Sequence, residues 1–257
     1  HRDLHLSLRR QRQMCIRVWA LCDHLLGTIL DYFDANNLWD DTTLILTTDH
    51  GFMLGEHDWW AKNRMPMYNE IAHIPLFVYH PDYIEYAGET RDTVTQNIDL
   101  MPTFLSLNNL SIPEEVKGKS ILNFLEKDSS NYTALYGYWG GGINITDGKY
   151  TYFYYPDNFD QTSLKKFQYT LMPTHMRQFF SHEELRTITM AEPFSFTKDI
   201  PVMKVNRIQR KTDEGFLTLE DTKSALYNII DDPGQLKPLE DKHFNRYSLH
   251  VIKVFCG

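Results

Sequence analysis

The sequence predicts an α/β protein that carries a second, smaller antiparallel part, and three observations predict it. Apolar residues recur at helical spacing over residues 13–33, a β-branched apolar run follows at 42–48, and beyond residue 130 the chain turns into short Tyr-rich segments punctuated by glycine. Helix followed by buried strand is layer architecture, whereas short segments divided by turn residues are hairpin chemistry.

The helix rests on Ile16, Trp19, Leu21, Leu25, Leu26, Ile29, Leu30 and Phe33, and Asn36-Asn37 ends it. The run Thr42-Thr43-Leu44-Ile45-Leu46-Thr47-Thr48 reads as a buried strand, and residues 74–79, closed by Pro81, read as a second. Residues 97–107 predict a helix that opens with Asp99 and Pro102, both suited to a helix N-terminus. Lys117-Gly118-Lys119-Ser120 is a turn into a short helix at 121–125. The segments 133–139, 142–146 and 150–155, with the turn Asp147-Gly148, are expected to pair as hairpins. Residues 152–155 are expected on one face of a small sheet, and Gly140-Gly141-Gly142 as a bend between strands. Residues 160–210 show no clear period, 226–230 is a further apolar run, and 244–255 predicts a terminal helix. We divide the chain near residue 130, into 1–130 and 131–257.

Composition bounds the function. A net charge of −8 argues against nucleic acid as the partner, since phosphate contact needs a basic surface. No stretch is long and apolar enough to span a membrane. Cys15, Cys22 and Cys256 form no disulfide framework; Cys15 and Cys22 are expected as core thiols, and this usage leans towards a reducing, cytoplasmic compartment.

Chemistry concentrates at Thr47-Thr48-Asp49-His50-Gly51, at the carboxyl end of the first strand, where open α/β sheets bind ligands. A carboxylate and a neighbouring imidazole can share one divalent cation, and Gly51 lets the backbone turn sharply after them. Alone, such a dipeptide is more often a capping Asp and a buried structural His than a metal site. Its company argues otherwise: Leu54-Gly55-Glu56-His57-Asp58-Trp59-Trp60-Ala61-Lys62 follows directly, then Met67-Tyr68-Asn69-Glu70-Ile71-Ala72-His73-Ile74-Pro75-Leu76.

This succession resembles the second metal-binding segment of the sulfatases and of the related phosphonate monoester hydrolases. The resemblance extends to Asp23 and Gly27, to Asp99-Leu100-Met101-Pro102-Thr103, to Gly118-Lys119-Ser120-Ile121-Leu122, to Asp147-Gly148-Lys149-Tyr150 and to Ala225-Leu226-Tyr227-Asn228 with Asp232-Pro233. It implies the C-terminal portion of an alkaline-phosphatase-like mixed sheet with flanking helices, plus a small antiparallel subdomain with a terminal helix. It also implies that Asp49 and His50 bind a divalent metal, most often Ca2+, with Mn2+ or Zn2+ compatible with the His ligand. Lys62 matches the lysine that binds sulfate oxygens near the leaving group, where an ammonium neutralises developing charge. His57 either meets substrate or leaving group or holds the turn around it; His73 is expected to make a structural hydrogen bond, and at least one of Trp59 and Trp60 to lie in the core.

The family's nucleophile is a formylglycine made within Cys/Ser-x-Pro/Ala-x-Arg, and none of Cys15, Cys22 or Cys256 stands in that context. The nucleophile is therefore expected N-terminal to these residues in a longer chain, with the present 257 residues inactive alone. The implied reaction is attack of the metal-activated hydrated aldehyde on the sulfur of a small-molecule or saccharide sulfate ester, with the alcohol leaving. Two alternatives stand beside it. One is a phosphonate monoester or phosphodiester hydrolase of the same superfamily; the other is a non-catalytic binding module that keeps the fold.

Overall fold

The structure, a computed structural model, describes residues 2–62, 65–129, 132–137, 142–155, 167–175, 178–194, 197–206 and 223–239, and only the backbone of 2–15. It is mixed α/β, with small antiparallel sheets and few helices. Packing divides it into two compact units: His1–Lys62 with Glu70–Arg91, and Asn63–Asn69 with Asp92–Gly257. The residues between 92 and 130 thus group with the later sheets, whereas the division near 130 follows the change in strand chemistry.

In the first unit, helix α1 covers Arg2–Ala35, about three turns beyond the start of the periodic stretch, and residues 2–12 contain no Gly or Pro to stop it. Asn37, at φ 53°, ends it in the left-handed conformation that asparagine tolerates. Phe33 is buried against Trp39, and Trp39 stacks edge-on against Tyr79, whose hydroxyl donates to the Trp39 carbonyl at 2.6 Å. Residues 16–25 of the helix lie at the surface. Trp19, Leu21 and Leu25 are consequently exposed, and Cys22 is an exposed thiol, not the core thiol that its spacing suggested.

Strand β1 (Leu44–Thr47) pairs antiparallel with the later strand β4 (Leu76–Tyr79), with Leu46 opposite Phe77. Both strands lie where the apolar runs put them, but they are half-buried. Leu46 is 37% exposed and Phe77 64%. Between them come the two-residue strands β2 (Met53–Leu54) and β3 (Trp60–Ala61), a small hairpin anchored by the buried Met53, and the single turn of helix α2 (Asn69–Ala72).

The second unit opens on a 3-10 turn (Asn97–Asp99) running into α3 (Leu100–Leu107), the helix expected at 97–107. The buried Asp99 carboxylate accepts from Gln96 N and Lys119 N, each at 2.8 Å. Thr103 Oγ1 donates to the Asp99 carbonyl and accepts from Ile121 N, at the start of the short 3-10 helix Ile121–Phe124. Gly118 is required here: a Cβ on it would stand 2.1 Å from the Ile98 carbonyl oxygen.

Strands β5 (Ala134–Gly137), β6 (Ile143–Thr146) and β7 (Tyr150–Tyr154) form the expected meander, with β11 (Ala225–Asn228) added beside β7. Asp147 Oδ1 accepts from Lys149 N and Tyr150 N across the turn, and Gly148 adopts φ 86°. The side chains of 152–155 do not share one face. Strand period 2 sends Tyr152 to a cluster with Ile145 and Leu226, and Phe153 and Tyr155 to another with Tyr227. Burial pushes the Tyr227 hydroxyl up to about 12.

The stretch without a clear period holds three more strands in the order β8-β10-β9: β8 (Phe167–Thr170), β9 (Thr189–Ala191) and β10 (Val202–Asn206). It also holds α4 (His182–Arg186), whose Ser181/Glu184 capping box is legible as Ser-x-x-Glu. Residues 140, 141 and the expected terminal helix at 244–255 lie outside the described residues. No described helix is long and apolar enough to cross a membrane.

Candidate metal half-site

The site is assembled by three backbone devices of the first unit. β1 delivers residues 48–51 beyond its carboxyl end, as the strand-then-polar pattern predicts. Gly51 then lies against the backbone of residues 70 and 71: its N–H donates to the Ile71 carbonyl at 2.8 Å, and a Cβ on it would fall 1.8 Å from the Glu70 carbonyl oxygen. Only glycine allows that approach. The β2–β3 hairpin, finally, brings Lys62 back beside His50, twelve residues earlier in the chain.

The hairpin loop is unusual in its dihedrals. Gly55 is at φ 116°, and His57 (50°), Asp58 (59°) and Ala61 (78°) follow on the left-handed side, each at a cost of order 1 kcal/mol for a residue with a Cβ. The loop is closed by Gly55 N donating to Trp59 O and Trp59 N to Glu56 O, while the Glu56 carboxylate accepts from Leu54 N. His57 stands half-buried within this turn. Trp59 and Trp60 are both half-buried, where at least one was expected in the core, and His73 lies at the surface.

Hydrogen bonding determines the state of His50. Its Nδ1 lies 2.8 Å from the Gly51 carbonyl oxygen, which can only accept, so Nδ1 carries the proton. Its Nε2 lies 2.9 Å from Lys62 Nζ, an ammonium that can only donate, so Nε2 presents its lone pair. Nε2 also stands 3.4 Å from Asp49 Oδ2, so the imidazole and the carboxylate lie side by side. Asp49 Oδ1 is held by His50 N at 3.0 Å, which aims Oδ2 outward; the Asp49 side chain is 80% exposed and that of His50 27%. Slight burial pushes the Asp49 carboxyl up. The charge of a protonated His50, the backbone N–H groups of Asp49 and His50, and Lys62 pull the other way, and the net value lies below the usual carboxylate range.

A hard carboxylate oxygen beside a tautomer-locked imidazole nitrogen fits half of a divalent-cation site. The Nδ1–H bond to a carbonyl is the outer-shell support that metal-binding histidines use. Among the described residues no three His, Cys, Asp or Glu gather into one cluster, so the remaining ligands would come from elsewhere. Three features escaped sequence reasoning. These are the Glu70–Ile71 backbone that clamps Gly51, the Glu56 brace of the loop, and the contact of Lys62 with His50. Gly51 itself was the available signal for the first.

Residues 55–189, just over half of the chain, match the family described as N-sulphoglucosamine sulphohydrolase, C-terminal. The chain is similar to an N-acetylglucosamine-6-O-sulfatase of Bacteroides thetaiotaomicron, 35% identical over 41% of this chain and 18% of that protein. It is 36% identical to the multifunctional alkaline phosphatase superfamily protein PehA of Trinickia caryophylli over 46% of this chain and 23% of that one. The match thus spans about a fifth of the length of these relatives. Among solved structures, BT4656 in complex with its substrate D-glucosamine-2-N,6-O-disulfate shares the fold, with a TM-score of 0.56 at 17% identity over 90% of this chain and 37% of that chain.

Proposed function

This chain belongs to the sulfatase family whose C-terminal region it matches, within the alkaline-phosphatase-like superfamily, and from that premise we propose that the complete protein hydrolyses sulfate esters of saccharides. In this reading residues 1–130 are the later part of the catalytic domain and 131–257 its small C-terminal subdomain. The nucleophile, a formylglycine, lies N-terminal to them, and these residues alone do not turn over substrate.

The observation that carries the reading is the paired presentation of Asp49 Oδ2 and the His50 Nε2 lone pair, 3.4 Å apart and locked by the Gly51 contacts. Asp49 and His50 hold a divalent cation, Ca2+ foremost, with Mn2+ or Zn2+ compatible with the imidazole. When bound, that cation supplies Lewis-acid activation and neutralises charge on the transferring group. Lys62 binds the sulfate oxygens and offsets the negative charge that develops as the alcohol departs. His57 is assigned to the leaving-group side. A saccharide substrate is supported by the similarity to an N-acetylglucosamine-6-O-sulfatase.

A second reading has its own support, the similarity to a multifunctional alkaline phosphatase superfamily protein. In it the same residues serve a phosphonate monoester or phosphodiester. Assays of the full-length protein on an aryl sulfate and an aryl phosphonate separate the two: turnover of the sulfate is expected, and turnover of the phosphonate alone would overturn the sulfatase reading. Turnover of neither, with no Cys/Ser-x-Pro/Ala-x-Arg upstream, would leave the non-catalytic module. The metal assignment is tested by Asp49→Asn, which should lower bound metal and activity together; unchanged metal content would remove Asp49 from the ligand set.

A further inference from the structure

We propose that the small sheet β8-β10-β9 carries a binding platform for a sulfated oligosaccharide, made by Tyr169, Phe194 and Phe167 around the ammonium of Lys204. The choice of a saccharide rests on the reading of this protein as a sulfatase of saccharides; none of these residues belongs to the half-site at Asp49 and His50.

The strand register assembles the platform. Lys204 of β10 stands opposite Tyr169 of β8 and Thr189 of β9, so the three side chains form one row across the sheet. Phe167, two residues before Tyr169 on the same strand, shares their face. Lys204 Nζ lies 4.0 Å from the centre of the Phe167 ring and 5.9 Å from that of Tyr169, both within reach of a ring quadrupole. Phe194, beyond the end of β9, meets the Tyr169 ring at 5.6 Å and 80°. The Thr197 N–H donates to the Phe194 carbonyl at 2.8 Å, closing a turn that fixes the backbone under that ring. Two rings at right angles form a notch, and both are open to water: Tyr169 is 48% exposed and Phe194 39%.

Aromatic surface left in water gains free energy when a ligand covers it, and the chemistry of the patch says which ligand fits. A ring face carries partial negative charge and attracts the partly positive C–H hydrogens on the flat side of a pyranose. The exposed Thr189 offers a hydroxyl that can exchange hydrogen bonds with a sugar hydroxyl. The ammonium amid the rings supplies the charge that a sulfate group complements, in a chain whose net charge of −8 otherwise repels polyanions. An apolar peptide would gain nothing from a cation at the centre of its contact.

The test uses the full-length protein and a heparin-derived hexasaccharide, with the chemically desulfated form as comparison, and reads Kd by calorimetry. Tyr169→Ala and Lys204→Met should each weaken hexasaccharide binding about fivefold, whereas Tyr169→Phe and Lys204→Arg, which keep ring and charge, should bind like the unaltered protein. The desulfated form should bind more weakly than the sulfated one and be indifferent to Lys204→Met. No hexasaccharide binding, or binding unchanged in Tyr169→Ala or in Lys204→Met, overturns the platform, as does equal affinity for the two forms. If Tyr169→Ala does not fold, Lys204→Met against Lys204→Arg decides. Turnover of an aryl sulfate reports separately on the sulfatase reading: its absence, with these changes in Kd observed, removes that reading and not the platform.

Discussion

Asp49 and Asp99 are two carboxylates from segments that the family resemblance singled out, and they do opposite work. Asp99 is buried, and its two oxygens accept one backbone N–H each, from Gln96 and Lys119, so that a helix start and a glycine turn are tied together. Asp49 is exposed, with one oxygen braced by His50 N and the other turned outward beside an imidazole lone pair. A carboxylate saturated by its own backbone is architecture. One at the surface beside an imidazole is placed for chemistry.

That contrast can be broken by substitution. The largest effect belongs to Asp99→Ala, which removes a buried carboxylate and its two charge-assisted bonds to the Gln96 and Lys119 N–H groups, and should cost on the order of 4 kcal/mol in urea or thermal unfolding. A loss under about 1 kcal/mol would show that the clamp is not structural. Gly51→Ala comes next. Its Cβ would overlap the Glu70 carbonyl oxygen, so the backbone must shift, at a cost of about 3 kcal/mol and with loss of metal binding. Normal Ca2+ affinity in that variant would sever the link between Gly51 and the half-site.

Glu184 sharpens the comparison through pH. Burial works to raise its carboxyl, but the Ser181 N–H and hydroxyl and His175 outweigh it, and the group sits below its ordinary value. A depressed folded value stabilises the protein above the unfolded value of about 4, and the contribution is lost as pH falls through the folded one. Glu184→Gln should therefore flatten the stability profile below about pH 4, by an amount on the order of 1 kcal/mol; an unchanged profile would remove Glu184 from the acid response. The smallest effect is that of Asp49→Asn on folding. It should change unfolding by no more than about 0.5 kcal/mol, since the side chain is exposed, and a large loss would make Asp49 a structural residue like Asp99.

What the sequence disclosed follows from the range of the forces involved. The Asp147-Gly148 turn, the opening of α3 and the strand before Asp49 were legible because capping, turn chemistry and short apolar runs act over a few residues. Strands β8 to β10 were not, since three to five residues with mixed exposure carry too little period to register. Burial of β1 and β4 was overstated, because apolarity says that a residue can be covered and not by what. Within the site, residue types announced Asp49 and His50. The Lys62 contact was hidden, because His57, Asp58 and Ala61 adopt a backbone conformation that their side chains do not favour, and no residue preference points to it.

The pairing of β1 with β4 has a practical consequence. Among the described residues the sheet ends there, so each strand keeps one outer row of N–H and C=O groups unmated, and Leu46 and Phe77 stand opposite each other on an uncovered face. Two such ribbons can add to one another edge to edge, with their apolar faces in contact. A preparation of residues 1–257 alone is expected to self-associate with concentration, and a charged residue at position 77 is the simplest way to keep it dispersed.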